Sequence, residues 1–256
     1  NVRLLTKDLE WKKTIDIKIG DILLGFDEFG TSIKSNGERN KRQWRETEVL
    51  EIKRLKRPCY NLNFENGLSI ISSQEHKWLC GYGQRWKWST TKDLRVQNGN
   101  RAGTKIIKIV DTWEEDKSYE GGYLAGLFDG EGCLGQKLIN DKKGINSLIR
   151  LSISQNEGIV SKYLEGVLLD KGFTCHKRVH KKYTAMHNIY RTGIKSEILK
   201  IIGQIRPKRL LNKLDFNKWG SLIAQQGLLL IKKEFIGNKE VVGIKTSTGT
   251  FIAEGL

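Results

Sequence analysis

One short segment constrains the fold more than any other part of this 256-residue chain. Between residues 122 and 130 the apolar side chains recur at helical spacing, and they are Leu124, Leu127 and Phe128. Another face of the same segment carries little bulk, because its residues are Ala125, Gly126 and Gly130. A helix with so small a face can approach a second helix almost backbone to backbone. The sequence therefore predicts a helix that pairs closely with another helix.

Glu131 stands at the C-terminal end of this predicted helix. A like helix would place a second carboxylate nearby, and two adjacent carboxylates repel each other unless they share protons or cations. Hard divalent ions such as Mg²⁺ prefer oxygen ligands, and they can activate water for cleavage of a phosphodiester. Two such helices side by side could therefore hold a divalent cation. The alternative is a glycine-rich buried helix followed by an exposed glutamate.

Residues 124–132 read LAGLFDGEG, which resembles the LAGLIDADG motif of homing endonucleases, and residues 119–219 look like one unit of that family. The resemblance implies that Glu131 is the metal-binding acid. It also implies that Gln155 lies near the catalytic water and that Lys213 is the lysine that follows the last helix. The fold that it implies is an α/β endonuclease unit.

The chain has one copy of this motif, because the apolar run at 227–231 has no small-residue face ending in an acid. One copy supplies one carboxylate, so two chains are needed for the site. We therefore expect a homodimer through the motif helix, and a near-palindromic duplex DNA as its target.

The charge of the chain also favours nucleic acid as a partner. The whole chain carries 45 basic and 29 acidic residues, a net charge of +16. Residues 119–220 hold 18 basic and 9 acidic residues, a net +9, whereas residues 221–256 are almost neutral. Such a charge attracts a polyanion and releases counterions when the two dock. A merely solvated basic surface is the alternative.

Strands of the middle region are expected to read the DNA, because side chains alternate along a strand and a two-stranded ribbon fits the major groove. Counting along the predicted strands places Lys137, Arg150 and Ser152 on the reading face. Other basic residues are expected to contact phosphates, which position DNA without specifying its sequence, and these are Lys177, Arg178, Lys181, Lys182 and Arg191. Any of them could instead be only solvated.

The hydrophobic pattern predicts an α+β unit in the middle of the chain, with strands on both sides of it. Within the middle, it predicts helices at 158–171 and 195–205, a strand at 148–154 and a hairpin between 177–182 and 187–192. On either side, it predicts strands at 17–26, 47–52, 60–64, 68–71, 105–110, 241–246 and 249–252, and an exposed loop at 34–45. We expect residues 1–118 and 220–256 to form one β domain into which residues 119–219 are inserted.

The flanking segments resemble the all-β Hint (hedgehog/intein) fold. Residues 17–25 look like the segment after the first strand of an intein, and residues 250–256 look like the block before its closing His-Asn pair. Ser73 and His76 fall in a segment similar to the T-x-x-H block, with serine in place of threonine. The resemblance implies that His76 acts on the amide at the N-terminal splice junction, a role that suits histidine near neutral pH. Taken alone, His76 is an ordinary strand histidine.

Other sequence features exclude several classes of protein. No Cys or Ser nucleophile opens the chain and no His-Asn pair closes it, so we expect no splicing from this sequence, and host-protein exteins would be partners in a longer chain. No apolar run reaches the roughly 20 residues that cross a bilayer. The 4 cysteines never form a CxxC pair, which argues against a zinc ribbon and a disulfide framework. A cytoplasmic protein, encoded by a phage or other mobile element, is expected.

Together these features predict an intein-associated homing endonuclease that makes a Mg²⁺-dependent double-strand cut as a homodimer. Three alternatives stay open. The chain could be a DNA-binding protein with an inactive nuclease unit, or a self-splicing intein that carries the endonuclease as a passenger. It could also be a free-standing endonuclease that uses its β domain as an additional DNA clamp.

Overall fold

A computed structural model of the chain describes residues 2–33, 39–82, 85–97, 102–141, 144–182, 185–223 and 227–256. The chain divides into two compact units. Unit 1 comprises residues 1–7, 11–111 and 222–256, and unit 2 comprises residues 8–10 and 112–221. Both flanking parts of the sequence therefore belong to the same unit. No helix within the described ranges is long and apolar enough to cross a membrane.

Unit 1 is built from strands, joined by turns and short 3-10 segments. Numbered along the whole chain, its strands are β1 (Arg3–Leu5), β2 (Trp11–Lys13), β3 (Ile22–Phe26), β4 (Thr31–Ile33), β5 (Arg39–Lys41), β6 (Trp44–Phe64), β7 (Ser69–Ser73), β8 (Lys77–Tyr82), β9 (Arg85–Thr90), β10 (Lys105–Ile106) and β15 (Leu228–Thr246). A seven-stranded sheet has the order β3-β6-β15-β10-β8-β9, and β7 pairs with β6 beside it. Strands β1 and β2, and strands β4 and β5, form two separate hairpins.

The core of unit 1 lies against this large sheet in two clusters. The larger one contains Leu62, Phe64, Ile70, Trp78, Cys80, Leu94, Ile106, Leu228 and Leu230. The smaller one contains Leu4, Ile17, Leu23 and Val49. Strand β6 joins them because Val49 lies near its beginning and Leu62 near its end. Burial of these apolar side chains is the main stabilising contribution to the unit.

Several predicted strands of unit 1 have different bounds in the structure. The two strands predicted at 47–52 and 60–64 are one strand, because β15 pairs with β6 along the polar residues between them. The strand predicted at 105–110 is short, since Ile107 donates its N–H to Leu79 and Ile109 donates to Gly255 instead of continuing the pairing with β15.

The exposed loop predicted at 34–45 is wrong for its second half. Residues 34–38 lie outside the described residues, but β5 covers Arg39–Lys41, and Arg42 and Trp44 are buried. The Arg42 side chain donates to the Glu28 carbonyl at 3.3 Å and lies over the Trp88 ring. The sequence predicted a solvated Arg42 because it lies in a basic stretch. The partners that bury it, the Glu28 carbonyl and the Trp88 ring, are distant in sequence.

Unit 2 contains the helices and a separate sheet. Its elements are α1 (Tyr119–Glu131), β11 (Gly132–Asp141), β12 (Gly144–Asn156), α2 (Ile159–Asp170), β13 (His176–Lys182), β14 (Ala185–Thr192), α3 (Lys195–Ile205) and α4 (Lys208–Leu211). The antiparallel sheet has the order β11-β12-β14-β13. The helices predicted at 122–130, 158–171 and 195–205 and the predicted hairpin are all present, with bounds shifted by a few residues.

One face of this sheet carries the core of unit 2, because every second side chain of its central strand is apolar. These side chains are Ile149, Leu151 and Ile153. The helices contribute buried residues at helical spacing: Leu124 and Phe128 from α1, Leu164, Val167 and Leu168 from α2, and Ile198, Leu199, Ile201, Ile202 and Ile205 from α3. The opposite face of the sheet is left without a helix in the described part of the unit.

Helix α3 is packed tightly by its own chain. A methyl group added to Gly203 would lie 2.4 Å from Nε1 of Trp113. Trp113 is buried and its Nε1 donates to the Leu9 carbonyl at 3.3 Å. Gly203 is therefore needed for the close approach of the Trp113 ring.

Candidate nucleic-acid interface

Helix α1 begins at a capped and charged terminus. Ser118 is the N-cap, and its Oγ accepts a hydrogen bond from the Gly121 N–H at 3.2 Å. The Asp116 carboxylate in turn accepts from the Ser118 N–H at 3.0 Å and forms an ion pair with Lys171. The hydrogen bonds from Lys171 and Ser118 lower the pKa of Asp116 to about 2. These contacts fix where the helix begins.

The other end of α1 is clamped by Arg209, which was not predicted as a site residue. Its guanidinium donates to the carbonyls of Phe128 at 2.9 Å and Gly132 at 2.6 Å, and also to that of Asp129. The carboxylate of Asp129 accepts the backbone N–H of Arg209 at 2.8 Å. The helix end is thereby tied to the start of α4, and Asp129 has a structural role there.

Helix α1 passes into strand β11 without a loop, since Glu131 is its last residue and Gly132 begins the strand. The Gly132 N–H still donates to the Phe128 carbonyl. A methyl group at Gly132 would lie 2.3 Å from that carbonyl oxygen, so only glycine permits this direct junction. The side chain of Glu131 is exposed at the junction.

The glycine face of α1 lies open. A methyl group added to Gly122, Gly126 or Gly130 would meet no atom within 4 Å among the described residues. Gly126 and Gly130 are exposed and Ala125 is partly exposed, whereas Leu124 and Phe128 on the other side are buried. The helix therefore packs on its own unit with its apolar side and presents its small residues outwards.

The face of the unit 2 sheet opposite the core is basic. Strand pairing aligns Arg150 with Gly135, and Ser152 with both Cys133 and Arg191. By the alternation of side chains, the predicted residues that share this face are Lys137, Arg150, Ser152, Arg178 and Arg191. No acidic residue lies on this face where the structure describes the side chains of its strands. Four positive charges thus stand on one surface with no acidic residue among them.

Lys177 does not share this face. It pairs across β13 and β14 with the buried Tyr190, on the core side of the sheet. Its ammonium donates to the Glu165 carboxylate at 2.6 Å, which lowers the pKa of Glu165. Tyr190 donates to the same carboxylate at 3.1 Å, and burial together with Glu165 raises the pKa of Tyr190 to about 12. Lys177 therefore holds helix α2 to the sheet in this structure.

Lys181 and Lys182 belong to strand β13, and their side chains lie outside the described part of the chain. Gln155 lies near the end of β12, opposite Asn188, and alternation places it on the same face as Ile153. It is only partly buried. Because Gly132 pairs with Ile153, this end of β12 adjoins the end of α1 that carries Glu131.

Lys213 is exposed in the segment after α4. Gln136 fixes this segment: its Nε2 donates to the Lys213 carbonyl at 2.6 Å, and its Oε1 accepts from the Asp215 N–H at 3.1 Å and from Trp219 Nε1 at 2.8 Å. Gln136 was not predicted as a site residue. Its signal in the sequence is a polar side chain that stands between Leu134 and Leu138 in the alternation of β11.

In unit 1, Ser73 ends β7 opposite Cys59, and His76 directly precedes β8. The His76 ring contacts that of Trp78 with centroids 4.8 Å apart. Burial lowers the pKa of His76 to about 4, so its imidazole is neutral at neutral pH. Trp78 Nε1 donates to Thr91 Oγ1 at 2.9 Å, and this hydroxyl lies 3.1 Å from that of Ser72, so polar groups beneath the histidine satisfy one another.

Residues near the two ends of the sequence meet in unit 1. The Glu254 carboxylate accepts the Arg3 backbone N–H at 2.7 Å and the Arg3 guanidinium at 3.0 Å. Leu4 forms a β-bridge with Ala253, and Val2 and Leu256 both pack against the larger core cluster. Segments about 250 residues apart in sequence are thereby held side by side.

Comparison with known proteins gives sparse similarities. No family model matches the chain. A stretch of 75 residues is 33% identical to part of the replicative DNA helicase DnaB of Mycobacterium leprae (strain TN). This stretch covers 29% of the chain and 10% of the helicase, so the chain spans a small part of that relative.

The similarities to solved structures are distant. The MchDnaB-1 intein covers 99% of this chain and 93% of its own, with a TM-score of 0.36 and 12% identity. The Msm DnaB1 intein splicing domain bound with zinc covers 41% and 63%, with a TM-score of 0.27 and 25% identity. The homing endonuclease I-CvuI, in complex with the I-CreI target in the presence of Mg, covers 37% and 61%, with a TM-score of 0.26 and 16% identity.

Proposed function

We propose that unit 2 is a site-specific DNA endonuclease of the LAGLIDADG type. In this proposal two copies pair through the open face of α1, bind a near-palindromic duplex on the basic face of their sheets, and cut both strands beside Glu131. Unit 1 is an intein-like Hint domain into which the endonuclease is inserted, with domain limits at 1–118, 119–219 and 220–256, and the protein acts in the cytoplasm.

The observation that carries the proposal is the open small-residue face of α1 with an exposed acid at its end. Among the described residues, no atom lies within 4 Å of a methyl group placed at Gly122, Gly126 or Gly130, although glycine is unfavourable within a helix by about 1 kcal/mol relative to alanine. Three such glycines on one exposed face destabilise the isolated helix without any benefit to its own packing. A partner helix of the same kind supplies the benefit, since the small faces permit close approach.

The basic face of the sheet supports duplex DNA as the substrate. Lys137, Arg150, Arg178 and Arg191 are on this face, and no acidic residue accompanies them among the described side chains. Guanidinium groups donate two hydrogen bonds to a guanine edge or to a phosphate, so arginine suits both reading and positioning. Ser152, at the centre of the same face, suits a shorter polar contact to a base.

A divalent cation fits the site when two chains meet. One chain offers the exposed carboxylate of Glu131 at a helix C-terminus, where the helix dipole favours a positive charge. Within the described residues no group of three or more His, Cys, Asp or Glu could hold a metal. Two copies of Glu131 would supply the hard oxygen ligands that Mg²⁺ prefers. When bound, the cation lowers the pKa of water and stabilises the charge of the leaving oxygen.

The other proposed site residues act beside this carboxylate. Gln155 orients the attacking water through its amide, because it lies at the end of β12 that adjoins the end of α1. Lys213 stabilises negative charge that develops on the phosphate, as an exposed ammonium in the segment that Gln136 fixes. Lys177, Lys181 and Lys182 would contribute only to backbone positioning, and Lys177 must first leave Glu165.

The assignment of unit 1 is supported by different residues. A Hint domain must bring two distant junctions together, and the Arg3–Glu254 pair holds the corresponding segments side by side. Because burial lowers the pKa of His76 to about 4, its imidazole is neutral at neutral pH and can donate or accept a hydrogen bond beside the junction amide. Ser73 occupies the position that begins the T-x-x-H-like segment.

The decisive experiment is selection of cleaved sites from a random duplex library with Mg²⁺, followed by Glu131→Gln on the selected site. The expected loss of cleavage is at least about 100-fold, with binding retained, because the variant loses a ligand charge but keeps its shape. Glu157→Gln is the matched control, since Glu157 is another exposed acid of unit 2 that follows β12. Cleavage that survives Glu131→Gln would refute the catalytic assignment. Binding without cleavage by the parent protein would favour the inactive DNA-binding alternative.

A further inference from the structure

Strands β6 and β15 form a two-stranded ribbon in unit 1. The ribbon has no part in the activity proposed for unit 2. Between the pairs Glu51–Lys245 and Pro58–Asn238 the two strands run together for eight consecutive pairs. On the outer edge of β6, strand β3 pairs only up to Glu48 and strand β7 only from Cys59. In the described part of the sheet, this stretch therefore has no third strand beside it. We name residues 51–58 and 238–245 the basic ribbon.

The basic ribbon is strongly positive. Its 16 residues include 6 basic ones and 2 acidic ones, a net charge of +4. The basic residues are Lys53, Arg54, Lys56, Arg57, Lys239 and Lys245, and all are exposed. By comparison, the whole of residues 221–256 carries 4 basic and 3 acidic residues. The positive charge of the ribbon comes mainly from its β6 half, because residues 51–58 carry 4 basic residues and 1 acidic residue. Residues 238–245 of β15 add 2 basic residues and 1 acidic residue.

The ion pairs of the ribbon do not neutralise it. Lys53 is paired with Glu51 at 2.6 Å, Arg54 with Glu240 at 3.7 Å and Arg57 with Glu75 at 4.0 Å. The first two basic side chains remain more than 60% exposed, and that of Arg57 remains 46% exposed. Exposed pairs of this kind contribute only about 0–1 kcal/mol, so a phosphate can replace the carboxylate readily. Lys56 and Lys239 form no ion pair with any described residue. The ribbon thus has charges available for an external polyanion.

The geometry of the ribbon fits duplex DNA. Eight paired residues extend over about 25 Å at roughly 3.3 Å per residue, and two strands lie about 5 Å apart. The major groove of B-DNA is about 12 Å wide and admits a two-stranded ribbon, whereas the deep and narrow major groove of duplex RNA does not. Alternation directs Lys53 and Arg57 to one face and Arg54 and Lys56 to the other, so basic side chains can reach both walls of a groove.

From these observations we infer that the basic ribbon is a second DNA-binding surface, separate from the sheet of unit 2. Its role is binding to the phosphate backbone, because four of its six basic residues are lysines, whose compact ammonium groups act as point charges. This inference goes beyond the proposed endonuclease and does not depend on it. The ribbon would retain the protein on non-target DNA whether or not unit 2 cuts.

The test uses the full chain and a duplex of unrelated sequence, with binding measured over a range of salt concentrations. A background variant, Arg150→Gln with Arg191→Gln, first removes charge from the sheet of unit 2. The ribbon variant then adds the changes Arg54→Gln, Lys56→Gln and Arg57→Gln. The control variant removes the same charge from exposed lysines of unit 1 outside the ribbon, by Lys7→Gln, Lys13→Gln and Lys87→Gln.

We expect the ribbon variant to bind at least about tenfold more weakly than the background, and its logarithmic salt slope to fall by about 3, one unit per lost phosphate contact. The control variant should change affinity less than about twofold. Equal weakening by the two variants, or equal binding of duplex RNA, would overturn the inference. An unchanged thermal unfolding midpoint excludes loss of folding as the cause.

The two proposals fail separately in this design. If Arg150→Gln with Arg191→Gln leaves binding of the selected target unchanged, the proposed interface of unit 2 is wrong. The ribbon is then still judged by the difference between the ribbon and control variants. If that difference vanishes while the background variant binds its target poorly, the ribbon is wrong and the endonuclease proposal stands.

Discussion

Helices α1 and α3 both contain glycine, and the two helices use it in opposite ways. In α3, Gly203 faces the buried ring of Trp113, with room for nothing larger. In α1, Gly122, Gly126 and Gly130 face no described atom within 4 Å. The first glycine is explained by packing within the chain, whereas the other three are not. Three uncovered glycines in a row on one helix face are a better sign of an external partner than a glycine that is buried in its own chain.

The same contrast separates stability from function. Replacing the glycine of α3 should damage folding, because the Trp113 ring cannot move far while its Nε1 donates to Leu9. Replacing Gly122, Gly126 or Gly130 of α1 should leave folding intact, or improve it, and damage only what requires the open face. The following predictions test this difference, beginning with the largest effect.

Gly126→Gln is expected to reduce cleavage of the selected target at least about 100-fold, because a long side chain would hold two α1 helices apart. The folded protein should meanwhile become more stable by up to about 1 kcal/mol, since glutamine is a far better helix former than glycine. Cleavage rate and thermal unfolding measure these two quantities, and sedimentation with target DNA measures the association of two chains.

Gly166→Gln is the matched control. Gly166 is an exposed glycine of α2 that also has no described atom within 4 Å of an added methyl group. It should gain similar stability and keep full cleavage. If Gly126→Gln also kept full cleavage and full association, the small face of α1 would have no role as an interface.

Gly203→Ala is expected to lower the free energy of unfolding by about 1–3 kcal/mol, because the added methyl group overlaps the Trp113 ring. Denaturant unfolding of unit 2 in the whole chain measures it. Gly166→Ala should shift stability in the opposite direction, by up to about 1 kcal/mol. If Gly203→Ala left the free energy of unfolding unchanged, the Trp113 ring would be able to move aside for a methyl group. Close packing would then not explain the glycine of α3.

The smallest effect concerns pH. The pKa of Asp116 is lowered from 3.8 to about 2 in the folded protein, so its ionised form stabilises the fold above the unfolded pKa and the contribution is lost as pH falls from about 4 to 2. The size is about 2 kcal/mol at most. Asp116→Asn should lower stability at neutral pH and flatten this part of the stability–pH curve. A variant curve parallel to that of the parent would contradict the role of the Lys171 and Ser118 contacts.

The sequence was informative where local spacing and packing agree. The hydrophobic pattern identified both α2 and α3, because the buried apolar residues of each helix recur at helical spacing. The alternation around Arg150 and Ser152 correctly separated the core face of β12 from the basic face. These features depend on neighbours only a few residues apart.

The sequence was uninformative where the partner is distant. The residues around Lys177 do not predict its ion pair with Glu165 of α2. The residues around Arg42 do not predict its contact with the Trp88 ring. Residues 53–57 are mostly basic, and the sequence predicted two separate strands on either side of them. Pairing with β15 makes β6 continuous through these residues. Arg209 was overlooked for the same reason, since its carbonyl partners at the end of α1 lie about 80 residues earlier in the chain.

The loop-free junction at Gly132 has a consequence for how such a protein can acquire new targets. Glu131 is followed directly by Gly132, the first residue of β11. Arg209 binds the carbonyls of Phe128, before the acid, and of Gly132, after it. Any displacement of the strand along DNA must therefore carry the acid with it. Under the proposed function, the spacing between the bases that are read and the bond that is cut is set by the backbone. Substitutions at outward-facing strand positions can alter the preferred sequence while this spacing stays constant.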